Sequence, residues 1–165
     1  MASTTSSLEF KDLKNPAVAW VTAGGVGYLK PAPGTWGSLV ALMVWWFLLG
    51  DLPFVYQALV VTGYLLVSWA SCEYVCRHYD IEDAQEIVAD EVAGMWLVLI
   101  WLPQIWWLAL IGFALFRLLD ITKPLAIGWL DREIKGGTGV MLDDVVAGLV
   151  AGGVLKLALF FYGMI

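Results

Sequence analysis

The chain is short of charge, histidine, cysteine and basic clusters, and each shortage removes a class of function. Only 15% of its 165 residues are charged, where ordinary soluble domains carry about 25%. His78 is the single histidine, so a zinc centre or a histidine-nucleophile phosphatase lacks its partners. Cys72 and Cys76 sit one helical turn apart in an apolar stretch. They read as small buried or lipid-facing hydrophobes, and no disulfide framework is expected. Cys72 and Arg77 also lack the spacing of a cysteine-phosphatase loop, and no D-x-D-x-[TV] nucleophile loop is present. Nine basic residues against fifteen acids leave a net charge of −6 with no basic stripe, so no nucleic-acid partner is expected. The first ten residues have no basic region followed by an apolar run, so no cleaved signal is expected.

What is present is apolar. Hydrophobic residues make up 61% of the chain, mean hydropathy is +0.79, and ten Trp suit bilayer interfaces. No linker or repeat divides the sequence, which predicts a single domain over 1–165 with a polar N-terminal segment at 1–19. The expected fold is all-α: a polytopic membrane helical bundle with about five hydrophobic spans at 36–49, 54–76, 88–102, 104–119 and 145–163. Three of these are short, about 14–16 residues or ~21–24 Å of helix. The stretches around Pro103 form either a hairpin or one kinked helix. Charge placement favours the hairpin, because it gathers nearly all Lys, Arg, Asp and Glu on one side, predicted to be cytoplasmic. Lys156, inside the last span, reads as snorkelling or paired. Asp83 and Glu86 have capping-box spacing before the third span, and Asp143-Asp144 would precede the fifth, where their charge suits a helix N-terminus. Gly148 and Gly152 permit close approach of a neighbouring helix.

The polar residues concentrate near one mouth. Asp90, Glu91, Asp120, Asp131, Asp143 and Asp144 would converge there, and convergence of like charges requires divalent cations. An all-oxygen ligand set favours Mg²⁺. The bland alternative makes the same acids helix caps and solvated loop charges. Arg117, Asp120 and Lys123 follow at i,i+3 spacing, either as salt bridges or as metal and phosphate ligands. Lys135 with Gly136, Gly137, Thr138 and Gly139 suggests a phosphate-holding turn in a loop over 120–143. A second loop, residues 28–38, holds two prolines and Gly34 and reads as rigid and non-helical. Within it Lys30, Thr35 and Ser38 could donate to a phosphate, while Thr35 could equally cap the first span. Metal-activated water, or an aspartate nucleophile assisted by metal, is the remaining phosphate chemistry.

The motifs P-G-T-W-G-S (33–38), I-V-A-D-E-V-A-G (87–94), F-R-L-L-D-I-T-K-P (116–124) and D-R-E-I-K-G-G-T-G-V-M-L-D-D-V-V-A-G (131–148) together resemble the phosphatidylglycerophosphatase A family over nearly the whole length. The resemblance implies a Mg²⁺-dependent phosphatase in a bacterial inner membrane, multi-pass, with its active site facing the cytoplasm. Its lipid substrate would be phosphatidylglycerol phosphate. The family's acids fall on Asp90, Glu91, Asp120, Asp131, Asp143 and Asp144 as metal ligands. Asp120, Lys123, Asp131, Asp143 and Asp144 would be catalytic. Thr35, Arg117, Arg132, Lys135 and the turn at Gly136–Gly139 would bind substrate. Ala126 departs from the pattern, where a second proline is expected. Rival readings are a CDP-alcohol phosphotransferase-like enzyme, whose D-G-x-x-A-R signature is absent, and a divalent-cation transporter, which would want acids deep within spans.

Overall fold

The computed structural model describes residues 7–82, 84–124 and 126–163, without the side chains of Ala126 and Asp131. Every regular element among them is helical. After a 3-10 turn at Phe10–Lys14, α1 (Pro16–Val21) starts on Asn15, whose side chain accepts from the Ala17 N–H at 3.0 Å. Tyr28 closes the following turn by donating its hydroxyl to the Glu9 carbonyl at 2.8 Å. Partial burial pushes that phenol up to about 12, so it stays a donor. α2 (Pro33–Val44) runs on through a π-helical turn to Leu49. Then come α3 (Phe54–Tyr79), α4 (Ala89–Leu99), α5 (Trp106–Thr122), the short α6 (Ala126–Glu133) and α7 (Gly136–Phe161).

α7 is the centre of the bundle and packs against α3, α4, α5 and α6. Its approach to α4 is closest at Gly148, where a Cβ would overlap the Gly94 carbonyl. Backbones come this near only where neither residue has a side chain. The Trp96 indole N–H donates to the Ala41 carbonyl at 3.0 Å and ties α4 to α2. Phe116, Met95, Val98, Ala147 and Ala151 fill the core between α4, α5 and α7. A second cluster, with Val18, Val21, Cys72, Val75 and Met141, joins α1 and α3 to the start of α7. Both cysteines are buried free thiols.

Among the described residues two helices, α3 and α7, are long and apolar enough to cross a membrane, at about 39 Å each. That is fewer than the five spans hydropathy suggests. The expected span at 88–102 is an eleven-residue helix buried on nearly every side, so its hydropathy reflects packing within the protein. α2 and α5 are shorter than the two long helices as well. The hairpin at Pro103 is present, with α4 and α5 separated by residues 100–105. Other expectations need correction. Residues 120–143 are the end of α5, α6 and the start of α7 rather than a loop. Asp143 and Asp144 therefore lie two turns inside α7 and do not begin it. α4 starts on Val88 without a side-chain cap, so the capping-box spacing at 83–86 does not open it, and Asp83 lies outside the described residues.

Candidate active site

A cavity of about 480 Å³ opens where α2, α4, α5 and α7 meet. Asp90 and Glu91 enter it from the first turn of α4, Arg117, Asp120 and Lys123 from the last turns of α5, and Gly136, Gly139, Asp143 and Asp144 from α7. Lys135, the N-cap of α7, stands at its edge. The hairpin makes this meeting possible, because it returns the end of α5 to the start of α4.

The acids divide into two kinds. Asp120 Oδ2 lies 2.6 Å from Arg117 Nη1, and Asp143 Oδ2 lies 2.6 Å from Lys123 Nζ. Asp143 Oδ1 also accepts from the Asp144 N–H at 3.0 Å. By contrast Asp90 Oδ1, Glu91 Oε2 and Asp144 Oδ2 are buried without a hydrogen-bond partner. One oxygen from each of these three residues lies within 4.8 Å of the others. Buried carboxylate oxygens are costly to leave unsatisfied. Three at that spacing, all oxygen, fit a hard divalent cation such as Mg²⁺. Asp120 and Asp143 meet cations at 2.6 Å, whereas Glu91 meets Arg117 at 3.8 Å through its other oxygen. The Asp131 side chain lies outside the described residues.

Arg117 is placed as an anion donor. Its Nη1 sits 3.8 Å from Glu91 Oε1 as well as close to Asp120. The Asp120 contact is an ion pair at 2.6 Å, and Nε is buried without an acceptor.

Four expected substrate contacts are not brought to the cavity: Thr35, Arg132, Gly137 and Thr138 do not line it. Thr35 lies inside the first turn of α2, since Pro33 starts that helix after Ala32, which makes no side-chain cap bond. The loop over 28–38 is therefore helical from Pro33, and the Ser38 hydroxyl is spent on the Gly34 carbonyl at 2.8 Å. Arg132 is exposed on α6. Gly137 faces α3, where a Cβ would overlap the backbone of Cys72 and Glu73. Thr138 turns the same way: its N–H and hydroxyl contact Glu73 Oε2 at 3.2 and 3.3 Å, and Trp69 donates to its oxygen at 3.1 Å. The glycine turn is therefore partly a helix-packing device. Sequence reading missed Glu73, which only its distance partner reveals. It also missed Gly34, whose place beside Glu91 and Arg117 a turn-forming Pro-Gly pair does not announce. Glu82 and Gln85 line the outer cavity.

The family model for "PgpA: Phosphatidylglycerophosphatase A" matches residues 19–159. The chain belongs to this family. The Phosphatidylglycerophosphatase A of Escherichia coli (strain K12) is 38% identical over 144 residues, covering 87% of this chain and 83% of the relative. That of Haemophilus influenzae is 35% identical over 140 residues, covering 84% and 86%. A Bacteroides thetaiotaomicron protein named "Putative phosphatidylinositol-3-phosphatase" is 37% identical over 148 residues, covering 83% and 91%. No solved structure matches the chain. Membership makes the protein an enzyme, a phosphatase.

Proposed function

We propose that the protein hydrolyses phosphatidylglycerol phosphate to phosphatidylglycerol and inorganic phosphate, with Mg²⁺ held by Asp90, Glu91 and Asp144. The observation that carries this is the trio of buried, unpartnered carboxylate oxygens sharing one cavity with Arg117 and Lys123. In the reaction the P–O bond to the glycerol headgroup breaks, the oxygen of water joins phosphorus, and the leaving alkoxide gains a proton. Bound Mg²⁺ would polarise the phosphoryl group and favour ionisation of water. Arg117 supplies its guanidinium to the non-bridging oxygens, where charge gathers in the transition state. Asp120 holds that guanidinium in place, and Asp143 does the same for the Lys123 ammonium. The names of two relatives favour a glycerol phosphate headgroup and the third an inositol phosphate. All three share a phosphomonoester on a lipid.

The enzyme is further read as a multi-pass protein of the bacterial inner membrane with the cavity facing the cytoplasm. Two helices of spanning length support this, as do outward-facing Leu59, Leu66, Ile111, Leu118, Val154 and Phe160, which are all exposed. Such surfaces suit lipid better than water. Cysteines replacing Asp51 and Arg132 should label from the periplasm and the cytoplasm respectively, and labelling of both from one side would overturn that orientation.

The activity is tested with purified protein and phosphatidylglycerol phosphate in detergent. Phosphate release should require Mg²⁺, stop with EDTA and recover when Mg²⁺ returns. It should exceed release from phosphatidylinositol 3-phosphate. Release that survives chelation would sink the metal assignment, and faster turnover of the inositol lipid would sink the substrate assignment.

A further inference from the structure

The start of α2 leaves donors unused at the cavity wall. Pro33 opens the helix and has no N–H, and Ala32 at the N-cap has a methyl group that cannot accept. Among the described residues neither the N–H of Gly34, at the cavity wall, nor that of Thr35, which does not line it, has an acceptor. An uncapped twelve-residue helix presents roughly half a positive charge at this end. Gly34 is buried and lines the cavity, and a Cβ there would overlap Glu91 Oε1 and press on the Arg117 guanidinium. The helix end thus meets that ion pair with no side chain between them.

A separate observation points to a ligand in the same space. Asp90 and Asp144 are 8% and 2% exposed, both line the cavity, and each keeps a buried oxygen with no partner. Arg117 adds its guanidinium, whose Nε has no acceptor. A ligand that satisfies both sets must offer several anionic oxygens to the donors and share a cation with the carboxylates. A phosphate monoester does so, and a neutral or cationic headgroup does not.

We propose that the uncapped N-terminus of α2, kept open by Gly34, seats the oxygens of the terminal phosphate beside Arg117. The proposal rests on the phosphatase reading and moves the backbone contact away from the glycine turn at 136–139, where Glu73 already accepts from the Thr138 N–H. The seat serves the phosphomonoester of the substrate and the phosphate released from it.

The test fills the seat from within the chain. Ala32→Asp places a strong N-cap residue where its carboxylate accepts the idle N–H groups. Ala32→Asn does so without charge. Inorganic phosphate in the presence of Mg²⁺ is the probe, and melting temperature is the first readout. Wild type should be stabilised by phosphate. Both variants should fold at least as stably as wild type, keep the shift caused by Mg²⁺ alone, and need about tenfold more phosphate or worse for the same stabilisation. The second readout is hydrolysis of phosphatidylglycerol phosphate, in which KM should rise by a similar factor. A variant that binds phosphate as wild type does would overturn the seat, and so would a wild type that phosphate leaves unshifted. If wild type binds phosphate and the capped variants do not, yet no lipid is hydrolysed, the seat stands and the phosphatase reading falls.

Discussion

The floor of the cavity and its rim are both acidic, yet they hold their acids in opposite ways. On the floor, Asp90, Glu91 and Asp144 keep buried oxygens without partners. Toward the rim, Asp120 is matched to Arg117 and Asp143 to Lys123. Farther out, Glu73 pairs with Arg77 at 2.7 Å. An unpartnered buried carboxylate destabilises the fold unless something binds it, whereas a paired one fixes the cation beside it. The floor thus leaves buried oxygens unsatisfied, and the rim holds positive groups beside its acids. Asp143 and Asp144 show the difference most sharply, because they are neighbours in sequence and fall on opposite sides of that division.

Substitution at those two positions should separate them. Asp144→Asn should lower phosphate release at least about a hundredfold, as expected for loss of a metal ligand. It should also abolish the rise in melting temperature that Mg²⁺ gives wild type. Asp143→Asn should cost less, about tenfold, by removing the charge that meets Lys123 at 2.6 Å. Its Mg²⁺-dependent stabilisation should persist. Equal losses in both variants, with both losing the metal response, would show that the division between floor and rim is false.

Much of the arrangement was legible in the sequence. The paired acids at 90–91 and 143–144, with Arg117, Asp120 and Lys123 between, were expected at one mouth, and they line one cavity. Charge placement was enough to favour the hairpin that joins them over one helix kinked at Pro103, and Gly148 suggested the close helix contact. Span number was not legible, because hydropathy cannot tell a helix buried in protein from one facing lipid, and α4 is the former. The helix over 136–143 was missed for a different reason. Three glycines lower intrinsic helix propensity, and only packing against α3 offsets this, through Gly137 and Thr138. Which acids have partners depends on side-chain distances that spacing along the chain does not fix. For the same reason Thr138 reads as a phosphate ligand in sequence and serves as a brace in the structure.

That brace gives the smallest expected effect and the finest test of the comparison. Glu73 reaches from α3 to the first turn of α7, where Oε2 accepts from Thr138 at 3.2 and 3.3 Å while Oε1 is held by Arg77. Arg77 is largely exposed, so the ion pair itself adds little. The hydrogen bonds to Thr138 matter more, and their loss in Glu73→Ala should lower stability by about 1 kcal/mol. Glu73 does not line the cavity, and the packing of Gly137 on α3 remains in the variant. Phosphate release should therefore stay within about threefold of wild type, because such a change is well under the 1.36 kcal/mol that a tenfold loss needs. The response to Mg²⁺ should be unchanged, since no floor acid is touched. Glu73→Gln should recover most of the stability, as its amide oxygen can still accept from Thr138. A loss of activity in Glu73→Ala as large as that in Asp143→Asn would mean that the start of α7 is set by this one contact. The rim would then extend to α3, and acids with cationic partners would count as site residues wherever they lie.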